Sequence, residues 1–238
     1  MDKQALRERI WDELEDGGEA RFPFPPHGRI PNFAGADEAA DRLQETDAWQ
    51  EADVVKANPD APQLPVRRAA LRQGKTVYMA VPRLRDEQCF LRLDPDDVDD
   101  IDHATTVGGS SEAGVPVHPE DVEPIDLIVS GSVAVTEDGA RIGKGEGYSD
   151  LEFAILGEFD LVDDSTVTAT TVHELQVVDE AVPLSSHDVP MDLIVTPERT
   201  LETGATENAK PTVLEWDELS EERLAEIPIL ERLQPSAD

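Results

Sequence analysis

The run Leu64-Pro65-Val66-Arg67-Arg68-Ala69-Ala70-Leu71-Arg72 reads as a helix that passes through Gly74 into Thr76-Val77-Tyr78-Met79-Ala80-Val81. That ending is a near-continuous apolar run, the pattern of a strand covered on both faces rather than one. Just upstream, Asp53-Val54-Val55-Lys56-Ala57 is a short strand closed by Asn58-Pro59-Asp60-Ala61-Pro62. Downstream, Asp126-Leu127-Ile128-Val129, Ser132-Val133-Ala134-Val135, Thr166 to Val172 and Met191 to Val195 repeat the strand signal. Strands alternating with helices predict an α/β layer fold with a largely parallel sheet.

Around this centre the chain divides into simple pieces. Asp2 to Glu15 is an amphipathic helix with Ala5, Leu6, Ile10, Trp11 and Leu14 at helical spacing, ended by Gly17-Gly18. Arg21 to Asn32, rich in proline, is an extended connector, and a second helix is expected over 36–49. Tyr148 to Leu156 reads as another helix. The polar segment 94–123 reads as a loop insertion. Residues 213–233 read as a C-terminal docking helix interrupted at Pro228, within a single domain spanning 1–238.

Lys+Arg number 20 against 53 Asp+Glu, a formal charge of −33 over 238 residues. Such a chain repels nucleic acid, whose binding rests on Lys and Arg neutralising phosphates. The acids are spread along the sequence, as in Asp94 to Asp100 and Glu215 to Glu222, so they describe a surface rather than a tail. That distribution predicts a protein of a salt-rich interior, kept hydrated by excess carboxylates. No stretch approaches the roughly 20 apolar residues that cross a bilayer, so no membrane partner is expected. One cysteine, Cys89, rules out an internal disulfide, and a polar N-terminus points to the cytoplasm. Lysine is scarce: only Lys3, Lys56, Lys75, Lys144 and Lys210 occur.

The segment richest in chemistry is Gly139-Ala140-Arg141-Ile142-Gly143-Lys144-Gly145-Glu146-Gly147-Tyr148-Ser149-Asp150. Gly143, Gly145 and Gly147 let the backbone adopt positive φ and bring N–H groups close to a ligand. A helix starting near Tyr148 adds the positive end of its dipole. With Arg141 and Lys144 this makes an anion cradle suited to phosphate, and Asp150 is placed to hold a phosphate-bridging Mg²⁺. The spacing departs from both the Walker A loop and the dinucleotide fingerprint. Elsewhere the histidines are scattered: His173-Glu174 lacks a second histidine, and Ser130-Gly131-Ser132 is no nucleophile elbow. Arg83 and Arg85 are candidates to face an anionic ligand, or to be surface residues.

The pattern Gly-x-Arg-Ile-Gly-x-Gly-x-Gly-Tyr-x-Asp resembles the signature of the 5-formyltetrahydrofolate cyclo-ligase (methenyltetrahydrofolate synthetase) family. Lys3 with Leu6-Arg7 is similar to that family's N-terminal motif. Gln176, Val182-Pro183, His187-Asp188 and Asp192 to Thr196 follow its C-terminal pattern. Gly-Glu-Gly-Tyr-x-Asp-Leu-Glu with Ile30-Pro31-Asn32-Phe33 is similar to the methenyltetrahydrofolate synthetase domain-containing subgroup.

The resemblance implies a three-layer α/β/α domain like those of ribose-phosphate isomerase and CoA transferases. It also implies ATP-dependent conversion of 5-formyltetrahydrofolate to 5,10-methenyltetrahydrofolate. Lys3, Arg7, Arg141, Gly143, Lys144, Gly145 and Gly147 would bind ATP phosphates, with Arg141 and Lys144 serving catalysis. Asp150 would bind Mg²⁺, and Tyr148 and Gln176 would line the folate pocket. The implied partners are a folate and ATP, with oligomeric state left open. Glu146, Ser149 and Leu151 depart from the commoner Gly, Tyr and Arg, which keeps open a second reading: a homologue that binds nucleotide or folate without ring closure.

Overall fold

The computed structural model describes residues 2–205 and 210–235. Helix α1 (Lys3–Asp16) buries Leu6, Ile10, Trp11 and Leu14 along one stripe, as the spacing predicts, and leaves Ala5 exposed. The proline-rich connector follows, with β1 (Ala20–Arg21) and β2 (Asn32–Phe33) pairing antiparallel across it. The helix expected over 36–49 is two, α2 (Ala36–Leu43) and α3 (Asp47–Glu51). The break falls at Thr46, whose extended backbone and side chain cap Trp49 N–H and so begin a new helix.

Next come β3 (Val54–Ala57), α4 (Leu64–Arg72), β4 (Thr76–Ala80) and β5 (Phe90–Leu93). The segment 94–123 is not the loop its polarity suggested. It holds α5 (Ile101–Ala104), α6 (Val107–Ala113) and β6 (Val115–Val117). Asp100 and Thr106 cap its helices by accepting from His103 and Gly109 N–H, which lets a polar stretch hold helical turns.

Strands β7 (Leu127–Val129), β8 (Ala134–Thr136) and β9 (Arg141–Ile142) lead into α7 (Tyr148–Gly157). Then follow β10 (Val167–Thr171), β11 (Val177–Val178), β12 (Leu193–Val195) and β13 (Thr200–Glu202). The C-terminal helix expected over 213–233 is two short helices, α8 (Glu221–Glu226) and α9 (Pro228–Leu233). Pro228, lacking an N–H to continue α8, opens α9 instead.

The main sheet runs β13-β12-β10-β7-β3-β4-β5-β6. Its centre, from β12 to β4, is parallel, and the pairs β12–β13, β4–β5 and β5–β6 at its margins are antiparallel. Alternate residues of the central strands feed two cores. Val55, Ala57, Val77, Met79, Leu127 and Val129 face α2 and α4, whereas Val54, Tyr78, Ala80 and Ile128 face α7 and the C-terminal helices. This is a three-layer α/β arrangement. A small sheet, β11-β8-β9, forms a third core with α1.

Candidate functional site

From β3 the chain moves outward to β4, then returns to lay β7 on the other side of β3. The strand order reverses there, and in open parallel sheets a crevice forms at the carboxyl ends of such strands. A cavity of about 410 Å³ occupies that place. Its walls include Asn58 to Asp60 after β3, Val81 to Arg83 after β4, Gly131 after β7, and the loop from Arg141 to Asp150.

The loop is built as an anion cradle. Gly145 and Gly147 take φ of 107° and 66°, left-handed conformations that glycine alone adopts cheaply. Among the described residues no main-chain N–H from Gly143 to Asp150 donates a hydrogen bond. These free donors and the amino end of α7 make a concentration of positive potential.

The cations expected at the site converge on this cavity from distant parts of the chain. Lys3 Nζ is 2.9 Å from Asp188 Oδ2, and Arg7 Nε donates to Gly143 O at 2.7 Å. Lys144 Nζ pairs with Glu146 at 2.9 Å, and Arg83 approaches the same carboxylate at 3.8 Å. Burial works to lower the Lys144 pKa, but the hydrogen bond to Glu146 and the charges of Asp60 and Glu146 together outweigh it and hold the ammonium above its ordinary value. Arg7 is held below its ordinary value by burial, with Asp2 opposing. Among the described residues Arg7 is the cavity cation without a carboxylate partner.

Three of the expected site residues already have partners within the protein. Arg141 Nη2 grips both Asp150 oxygens at 2.8 and 2.7 Å, and Nη1 donates to Gly131 O at 3.0 Å. Burial would lower its pKa, yet the Asp150 charge and hydrogen bonds raise it. Its Nε is buried and without a partner, and the residue lines the cavity. Asp150 in turn is committed to Arg141 and to Val189 N–H at 3.1 Å. No group of three or more His, Cys, Asp or Glu able to hold a metal by itself occurs among the described residues, while a phosphate-bridging Mg²⁺ asks for only one or two carboxylates, and Asp150 lines the cavity.

Gln176 lies outside the cavity. It is 1% exposed, and its amide is spent on Ser132 O, Val133 O and His173 N–H. It braces the small sheet rather than a ligand. Tyr148 does line the cavity, and Arg223 of α8 stacks on its ring at 4.9 Å while donating to Glu146 O.

Other residues of the site escaped the sequence reading. Asp60 lines the cavity, and burial raises its pKa above the usual carboxylate range, with Lys144 and Arg67 opposing. Arg67, 1% exposed, holds the Asn58 to Asp60 turn by donating to all three carbonyls and to Thr105 O. Burial lowers its pKa to about 10. Lys56 forms a buried ion pair with Glu152, which lines the cavity. A lysine inside an apolar strand, in a chain so poor in lysine, was the available signal.

Residues 1–197 match the 5-formyltetrahydrofolate cyclo-ligase family. The chain is 43% identical over 239 residues to a methenyltetrahydrofolate synthase domain-containing protein of Mus musculus, covering 98% of this chain and 63% of that protein. The corresponding protein of Homo sapiens is 39% identical over 238 residues, with 98% and 62% covered. The chain thus spans less than two thirds of the length of these curated relatives. Among solved structures, the Aquifex aeolicus 5,10-methenyltetrahydrofolate synthetase shares the fold at a TM-score of 0.55 and 19% identity, covering 86% of this chain and 94% of that one.

Proposed function

The chain belongs to the 5-formyltetrahydrofolate cyclo-ligase family, and from that premise we propose that it couples ATP cleavage to ring closure of 5-formyltetrahydrofolate, giving 5,10-methenyltetrahydrofolate. The observation supporting this reading is the meeting of Lys3, Arg7, Arg141 and Lys144 with the Gly143 to Gly147 amides on one cavity. In the proposed course the formyl oxygen attacks the γ-phosphorus and ADP leaves. N10 then closes the ring and phosphate departs. Such chemistry asks a protein for position and charge rather than for a nucleophile of its own.

In this reading Arg7 and the loop amides take the phosphates first. Lys3 and Lys144 exchange Asp188 and Glu146 for phosphate oxygens, and Arg141 offers Nε while Asp150 fixes its plane. Tyr148 borders the folate. Mg²⁺ enters with the nucleotide, and Asp150 is the carboxylate beside the loop that would hold it. The whole chain, 1–238, is read as one working unit of a salt-rich cytoplasm. The test is ATP-dependent growth of the methenyl chromophore from purified protein, Mg²⁺ and 5-formyltetrahydrofolate in molar KCl. Absence of that signal overturns the catalytic reading.

One observation favours a second reading, a binding module without ring closure. Glu146 places a carboxylate in the cradle and pairs with Lys144 and Arg83, so a phosphate must displace it. Nucleotide binding without chromophore formation in the same assay supports that alternative.

A further inference from the structure

A buried ion pair opens onto this cavity, and the proposed chemistry has not used it. Alternation along β3 turns Lys56 to the same face as Val54, into the layer where α7 packs. There its ammonium meets the Glu152 carboxylate, the two side chains 1% and 6% exposed. The surrounding α7 is buried from Asp150 to Leu156 and is otherwise mostly apolar. Burying two ions is costly, and a well-packed apolar pair of similar size is often as stable or more so. Stability does not account for the pair, but its opening does.

Glu152 lines the cavity while Lys56 binds only its Oε2. Its Oε1 accepts no hydrogen bond among the described residues. Two positions beyond Lys56, Asn58 lines the same cavity at 8% exposure, its Oδ1 buried and without a partner. The cavity therefore has two chemistries: donors and cations along the glycine loop, and unsatisfied acceptors on the β3 side.

We propose that Glu152 is a specificity-determining residue that accepts an N–H from the heterocycle of the bound ligand, with Lys56 as the positioning residue that leaves Oε1 free to do so. The group that fits is an amino or lactam edge, a chemistry shared by adenine and pterin. This rests on the reading that a nucleotide and a folate occupy the cavity.

The experiment is calorimetric titration in molar KCl of the wild type, Glu152→Gln, and the double variant Lys56→Met/Glu152→Leu. The probes are ATP, 5-formyltetrahydrofolate and tripolyphosphate, the last carrying no N–H donor. Both variants should lose about tenfold or more in affinity for one heterocycle and keep their affinity for tripolyphosphate. The heterocycle that weakens identifies which ring reaches Glu152. The double variant guards against misfolding, since its unfolding midpoint should stay at or above that of the wild type. Unchanged heterocycle binding, or equal weakening of all three probes, overturns the proposal. A wild type that binds none of them removes the parent reading too, whereas binding that the variants leave unaltered removes only the role of the pair.

Discussion

Arg7 differs from its neighbours in the cavity because it has no carboxylate to give up. Lys3, Arg141 and Lys144 each hold one, so a phosphate binding to them breaks an existing pair. Glu146 is the easiest of these to remove without disturbing the fold, since both it and Lys144 are more than a third exposed in their side chains. Glu146→Gln should therefore tighten tripolyphosphate binding roughly two- to fivefold, the range of a partly solvated pair. Calorimetry showing no gain would mean that the carboxylate does not compete with the ligand. Asp60 makes the opposite case. Its pKa is raised by burial, so its contribution is complete below the unfolded value and is lost as pH rises through the folded one. Asp60→Asn should then raise the unfolding midpoint at neutral pH, with the gain shrinking as pH falls into the usual carboxylate range. A gain independent of pH would contradict that origin. The glycines and cations of 141–147 were legible because spacing and scarcity mark them. The fate of Gln176 was not, because one sequence cannot tell an amide facing a ligand from one paired with backbone.

The elements that build the site were mostly legible, for a physical reason. Val54–Ala57, Thr76–Ala80 and Leu127–Val129 are buried on both faces, so their runs are almost wholly apolar, with Lys56 the exception in the first. Leu64–Arg72 carries Pro65 in its first turn and ends just before Gly74, and both ends stand where those residues predict. The two helices in 94–123 were missed because their stability comes from Asp100 and Thr106 caps rather than an apolar stripe. Helix α7 shows what tertiary packing adds. At its carboxyl end a Cβ on Gly157 would lie 2.0 Å from Thr212 O, so the C-terminal segment rests directly on that glycine. Gly157→Ala should destabilise the chain by about 1–3 kcal/mol through overpacking. Amide exchange across 213–233 should rise with it, because Leu214, Ile227, Ile229 and Leu230 are held in the same core. Unaltered exchange there would separate the segment from α7.

Over the whole molecule the charge and the lysines tell one story. Lys56, Lys75 and Lys210 are buried at 1%, 8% and 4% exposure, and Lys3 and Lys144 line the cavity. Every lysine is thus placed where a specific contact uses it, while exposed arginines such as Arg72, Arg199 and Arg232 share the surface with a large excess of carboxylates. A formal charge of −33 repels itself, and raising salt from about 0.1 M to 1 M shortens the screening length from about 10 Å to 3 Å. The unfolding midpoint should climb steeply with KCl over that range, and a flat response would contradict the reading of the surface. The central claim is that basic groups remote in the chain act together on a polyphosphate. Its most direct test is titration of ATP into the wild type and Arg7→Ala in molar KCl. The account predicts one site on the wild type and an affinity about tenfold or more weaker in the variant, as for loss of a charge-assisted hydrogen bond. Equal affinities, or no binding by the wild type, would contradict it.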